Sequence, residues 1–324
     1  MAPLDRIKAP IKDELDAFEP HFRSTVKTDV PLLATVMNYI LRRKGKQMRP
    51  MFVFLSAKLN GGITEETYVG ASFIELLHTA TLIHDDVVDE TYERRGTFSV
   101  NALWKNKIAV LAGDYILARG LLLAVKHKAY QLLELMSQTV EDMSKGEILQ
   151  IQKARKLDIT EETYFEIIRK KTASLIATSM AIGAASTTKD EATISKMYQL
   201  GEHIGIAFQI RDDIFDYQSK GLIGKPTGND IKERKMTLPL IHVLNQSSKA
   251  DKKHYIHLVR KKNKNKAKVK EVIDFVISNG GLEYATSQMN EYRDKALSIL
   301  DEFPETETRE SLRELILYAT ERKH

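Results

Sequence analysis

Apolar residues recur along the chain at intervals of three, four and seven, the spacing of helices that bury one stripe. In residues 69–91 the stripe is Phe73, Ile74, Leu77, Thr81 and Val88, and residues 163–183, 194–217 and 281–300 behave likewise. No stretch of useful length alternates apolar and polar positions as a half-buried strand does. The 8 prolines and 16 glycines fall mainly at segment ends, where they stop helices. Residues 172–188 are the longest uncharged stretch. Their Ser, Thr, Ala and Gly content predicts a close-packed buried helix, not a membrane span. The clearest non-helical segment is 219–230, SKGLIGKPTGND. With no repeat and no linker, the pattern predicts an all-α, single-domain bundle over residues 1–324, of roughly ten or more helices.

Composition narrows this picture. At 324 residues and 43% hydrophobic the chain can bury a large core. It has no cysteine, which removes disulfides, thiolate zinc sites and cysteine nucleophiles and fits a reducing compartment. The first residues are too charged for a secretory leader, so a soluble, cytoplasmic protein is expected. Phosphate loops of the GxGxxG or GxxxxGK[ST] kind are absent. The net charge of +5 has its densest source in residues 252–270. The preferred reading there is a solvated helix–loop–helix edge. Aromatics are sparse and no nucleic-acid motif is present, so no nucleic-acid partner is expected, whereas weak attraction to anionic lipid is a further option.

Two acidic motifs carry the chemistry. In His84-Asp85-Asp86-Val87-Val88-Asp89-Glu90, Asp85 and Asp89 lie four apart and project from one helix face. Like charges at that spacing destabilise an isolated helix. They follow the apolar stretch 73–83, and carboxylates at the mouth of an apolar groove need a cation to offset repulsion and desolvation. Magnesium suits them, because it takes a few carboxylates and completes its octahedron with water and phosphate oxygens. The spacing returns 127 residues later in Asp212-Asp213-Ile214-Phe215-Asp216, after the apolar run 204–210. A single DDxxD is weak, since acidic pairs on solvated helices are common. Two, each ending an apolar helix, are not. If the two helices face each other, six carboxylates converge on a site for a metal-bridged diphosphate, whose departure the metal would ease.

At this point the chain resembles the trans-isoprenyl diphosphate synthases, the polyprenyl synthetase family. The elements appear in order from Gly45-Lys46-Gln47-Met48-Arg49-Pro50 through Leu77-His78-Thr79-Ala80, Arg94-Arg95-Gly96, Gly113-Asp114-Tyr115, Gly146-Glu147 with Gln150, Lys171-Thr172-Ala173 and Phe208-Gln209. Gly224-Lys225-Pro226 and Asp230 through Thr237-Leu238-Pro239 close the series. Three positions depart from the pattern: Lys44 for a glycine, Gln47 for an arginine and Arg234 for a glycine.

The resemblance implies a bundle of the isoprenoid synthase type with a central apolar cavity, and a homodimer. It assigns magnesium, three ions in the closed complex, to Asp85, Asp89 and Asp212, with Asp86, Asp213 and Asp216 as direct or supporting partners. Lys171, Thr172, Gln209, Lys225, Lys235 and Arg94 would hold the allylic diphosphate or aid its departure. Lys46, Arg49, His78 and Arg95 would bind isopentenyl diphosphate without metal. Fixed cations suit the substrate that stays intact, metals the one that ionises. Ionisation, condensation and proton loss would follow, the departing diphosphate acting as base. Trp104 and the Gly146-Glu147 pair are read as structural. A terpene cyclase would lack the second motif and the isopentenyl set. A non-catalytic partner subunit would have lost acidic motifs, and a di-iron bundle would need Glu-x-x-His pairs.

Product length is read from the residues before Asp85. Ala80 and Thr81 are small where, in the family, bulky aromatics form a floor. A helix turn rises ~5.4 Å, close to one extended isoprene unit. Leu77 and Phe73 then mark deeper steps, with Leu132 or Met136 at the far end. This predicts a heptaprenyl to octaprenyl product for a quinone side chain, with geranylgeranyl or farnesyl as the alternative, and weak membrane association for product release.

Overall fold

The helical period carries through the described residues, 3–42, 47–94, 96–218 and 228–321, of a computed structural model. The helices are α1 (Pro3–Lys8), α2 (Lys12–Thr25), α3 (Pro31–Leu41), α4 (Met48–Leu59), α5 (Glu65–Val88), α6 (Val100–Lys126), α7 (Tyr130–Lys156) and α8 (Glu161–Ile168). After a π-helical turn at Arg169–Ala173 come α9 (Ser174–Ala185), α10 (Glu191–Tyr217), α11 (Asn229–Lys232), α12 (Leu238–Gln246), α13 (Lys249–Lys261), α14 (Lys266–Ser278), α15 (Gly281–Leu300) and α16 (Glu307–Glu321). The stripe over 281–300 thus coincides with α15. The only strands among the described residues are β1 (Glu93–Arg94) and β2 (Thr97–Phe98), a two-residue hairpin turning at Gly96 with φ +73°. Two residues are too few for alternation to register in a sequence. Most of the turn-rich segment 219–230 lies outside the described residues.

The chain forms two compact units. One comprises Met1–Ser137, Thr178–Tyr198 and Glu305–Leu312; the other comprises Gln138–Ala177, Gln199–Pro304 and Arg313–His324. In the first unit α5 is the central helix. Thr64 and Thr67 cap it reciprocally, each hydroxyl accepting the other's backbone N–H at 3.3 and 3.0 Å, and Glu65 and Glu66 favour its positive end. It packs antiparallel to α6 because α6 has glycine at two matched places. A Cβ on Gly120 would stand 2.5 Å from the Phe73 ring, and one on Gly113 would stand 2.3 Å from His84 Nε2. The half of α9 in this unit is buried, as residues 172–188 predict. Gly183 lies against the Val53 carbonyl, and Ser56 Oγ donates to the Met180 carbonyl at 2.6 Å. Trp104 is structural, standing edge-on to Tyr39 at 5.1 Å.

α6 is long and apolar enough to cross a membrane by composition, with mean hydropathy 1.9, and only 33% of that window is buried. Beyond a kink at Lys105 (φ +68°), Val110, Leu111, Leu121, Leu122 and Val125 form an exposed apolar stripe along it.

In the second unit α10, α12, α14 and α15 enclose a core of Ile206, Ile210, Ile214, Leu240, Ile241 and Val276. α10 meets the π turn and the start of α9 at backbone distance. A Cβ on Gly205 would stand 2.4 Å from Ala173 Cα, and one on Gly201 would stand 2.6 Å from Ala177 Cα. The glycines are one turn apart and so are the alanines, so the contact runs along both helices. Gln209, one turn beyond Gly205, shares that face.

Candidate active site

The first acidic motif ends α5. Asp86 is 4% exposed and accepts from Arg94 Nε at 2.7 Å, which ties the β1–β2 hairpin to the helix end. Asn101 Nδ2 donates to the Asp86 carbonyl at 3.0 Å from α6. Asp85 is half-buried, and Asp89, the C-cap residue, is exposed. Arg94, assigned above to the allylic diphosphate, is therefore a partner of Asp86 here. Arg49 opens α4 and His78 lies mid-α5, both half-buried. Lys46, Arg95 and Lys225 lie outside the described residues.

The second motif ends α10, and its three aspartates differ. Asp212 is exposed. Asp216 turns back onto the next segment, its two oxygens accepting the amides of Asn229 and Asp230 at 3.0 Å each, so it supplies the N-terminal cap of α11. Asp213 is 4% exposed and accepts from Tyr164 Oη at 2.7 Å and Gln209 Nε2 at 2.9 Å. Gln209 Oε1 in turn accepts from Thr172 Oγ1 at 2.8 Å, which completes a chain from the π turn to the acidic motif. Burial, reinforced by the Asp230 carboxylate, pushes Asp213 up to about 7. Burial and then Asp216 push Asp230 up to about 6, with Lys235 acting the other way. Lys235 Nζ lies 2.6 Å from Glu233 Oε2 and 4.0 Å from Asp230 Oδ1.

Lys171 sits on the π turn, a distortion often found where a helix presents a functional side chain. Its ammonium is held by the Glu147 carboxylate and, at 3.4 Å, by Gln150 Oε1. Gly146 makes room, since a Cβ there would stand 2.9 Å from the Lys171 amide. Glu147 is thus more than the structural residue expected above: it fixes a candidate substrate-binding cation. Tyr164 and Asp230 were also missed as site residues. Asp230 closed a recognised motif, whereas Tyr164 gave no signal beyond its place on an apolar stripe.

Both motifs occupy helix C-termini, where the backbone dipole is negative and carboxylates are disfavoured. Neither last turn contains a basic residue. Arg211, near the second motif, donates instead to the Tyr318 and Ala319 carbonyls at the end of α16. Acid placed against dipole and burial fits a divalent cation. Among the described residues no three acidic or histidine side chains already form a ligand group.

The sequence matches the polyprenyl synthetase family over residues 30–276. The chain belongs to that family. The synthetase is 33% identical to octaprenyl diphosphate synthase of Escherichia coli (strain K12), covering 98% of this chain and 99% of the relative. It superposes on a polyprenyl synthase from Caulobacter crescentus CB15 complexed with calcium and isoprenyl diphosphate, with TM-score 0.91, 29% identity and 99% and 98% of the two chains covered. A geranylgeranyl pyrophosphate synthase from Bacteroides thetaiotaomicron gives TM-score 0.86 and 37% identity over 99% of this chain and 100% of that one. The all-α synthetase is accordingly a trans-prenyltransferase acting on prenyl diphosphates.

Proposed function

We propose that this synthetase condenses isopentenyl diphosphate repeatedly with an allylic diphosphate to give an all-trans heptaprenyl to octaprenyl diphosphate, for a quinone side chain. The observation that carries the length is the absence of an aromatic at Thr81, the half-buried one of the two small residues before Asp85. The long-chain activity named for the Escherichia coli relative supports it. The 37% identity to a geranylgeranyl pyrophosphate synthase favours a second reading, a twenty-carbon product.

Asp85, Asp89 and Asp212 would ligate magnesium, three ions in the closed complex, with Asp213 and Asp216 as direct or supporting partners and Asp216 also capping α11. Magnesium would supply neutralising charge as the carbon–oxygen bond to diphosphate breaks. Lys171, held between Glu147 and Gln150, presents a fixed cation to the allylic diphosphate. Thr172 and Gln209 orient it through the hydrogen-bonded chain that ends on Asp213. Arg49 and His78, with Lys46 and Arg95, hold the isopentenyl diphosphate. Freed diphosphate accepts the final proton, so no side chain is assigned as base.

The apolar stripe of α6 fits a homodimer interface, and the intact acidic motifs speak against a non-catalytic subunit. A cytoplasmic enzyme that releases its product to a membrane completes the reading. The test is incubation with farnesyl diphosphate, isopentenyl diphosphate and Mg²⁺, sizing the products and sedimenting the same sample. Products beyond twenty carbons from a particle of twice 36.9 kDa are expected. Products of twenty carbons or fewer overturn the long-chain reading, and a 36.9 kDa particle overturns the homodimer.

A further inference from the structure

Residues 249–270 contain ten lysines and arginines and one aspartate, a net +9. The whole chain carries +5, so everything outside this segment sums to −4. The synthetase is basic because of one short segment.

The structure sorts that segment by side. α13 buries Leu258 and Val259, and Tyr255 stacks on Phe275 of α14 with ring centroids 3.6 Å apart and planes at 13°. On the opposite side Lys249, Lys252, Lys253, Arg260 and Lys261 surround the half-buried Ile256 and line a groove of about 490 Å³. Their spacings of three, four, seven and more place them on one helical face. The single acid, Asp251, is used at the helix start, where its Oδ2 accepts from Ser248 Oγ at 2.7 Å. Among the described residues, Lys249, Lys253 and Lys261 have no carboxylate within ion-pair distance.

We propose that this face of α13 docks the synthetase on an anionic phospholipid bilayer. Lysine stems can lie along apolar surface while their ammoniums meet headgroups, and Ile256 among them suits the headgroup–acyl boundary. The face has no exposed Phe, Tyr or Trp for bases to stack on, since Tyr255 is engaged with Phe275 and the groove offers only the His257 imidazole, so a nucleic-acid partner is disfavoured. The use of such docking rests on the long-chain reading above. Each added methylene makes water about fourfold less favourable for the product, so the grown chain must leave into lipid.

The test is co-sedimentation of the full chain, without substrate, with vesicles of phosphatidylcholine alone or mixed with phosphatidylglycerol. Binding is expected only to the anionic vesicles and should weaken with added salt. Each cation at such a surface is worth about fivefold, so the triple variant Lys249→Gln, Lys253→Gln, Lys261→Gln should bind about 100-fold more weakly. The triple Lys145→Gln, Lys189→Gln, Lys295→Gln removes the same charge elsewhere and should bind like the unaltered chain. No binding to anionic vesicles, equal loss in both triples, or no loss in the first would overturn the proposal. So would tighter binding to a single-stranded RNA oligomer than to the vesicles. Because vesicle binding is scored without turnover, a short product in the sizing experiment would refute the long-chain reading and leave the docking face standing.

Discussion

Replacing Gly205 by alanine tests the contact that positions the allylic half of the site. The new Cβ would stand 2.4 Å from Ala173 Cα, 2.7 Å from Ala173 Cβ and 3.2 Å from the Ala173 carbonyl. Two of these are backbone atoms, so no rotamer change relieves them. Ordinary carbon–carbon separation is about 3.5 Å, which asks α10 to move by about 1 Å. The 2.8 Å bond between Thr172 and Gln209 then passes the hydrogen-bond limit. Overpacking of this kind costs about 1–3 kcal/mol, offset by about 1 kcal/mol that alanine gains over glycine in a helix. The expected net loss of about 1 kcal/mol lowers the melting temperature by about 1–2 °C. Loss of the hydrogen bond should raise KM for the allylic diphosphate about fivefold and leave KM for isopentenyl diphosphate unchanged. Adding Ala173→Gly removes only the Cβ–Cβ contact and should restore part of both effects. An unchanged or raised melting temperature with both KM values intact would refute the reasoning.

Two further outcomes follow from burial. Thr81 is half-buried, whereas Ala80 is 1% exposed in a cluster with Val36, Met37, Ala109 and Ala112. Thr81→Phe should therefore shorten the product on sizing, while Ala80→Phe should chiefly overpack the core and lower the melting temperature; wild-type lengths from Thr81→Phe would place the stop elsewhere. Asp213 is raised to about 7 in the folded, metal-free chain, from an ordinary 3.8. Between those values the folded state holds the extra proton, so its stability falls as pH rises from about 4 to 7. Asp213→Asn removes that dependence, and chemical denaturation in EDTA should show the variant gaining on the unaltered chain across that window; parallel curves would contradict the burial argument.

The helices and both acidic motifs were legible because each depends on spacing within one segment. Burial of 172–188 followed from its small uncharged residues, and α15 from a stripe closed by glycine. What stayed hidden depends on pairing between segments. The roles of Glu147 and Gln150 emerge only when α7 lies against the π turn, and that turn has no signal in residues 169–173. That Asp216 also caps α11 was hidden, because the chain returns to it fourteen residues later. The pairing of Arg94 with Asp86 likewise emerges only when the hairpin folds back onto the end of α5.

The acidic ends of α5 and α10 have a consequence for how this sequence tolerates change. Asp89 and Asp212 stand where the helix dipole disfavours a carboxylate, so what the helix ends prefer does not account for them, and amides there would suit the dipole while disabling the enzyme. Selection for folding alone would push these positions toward asparagine. The aspartates can persist only while the reaction itself is under selection, so a lineage that stopped making the product would lose them early and keep the fold.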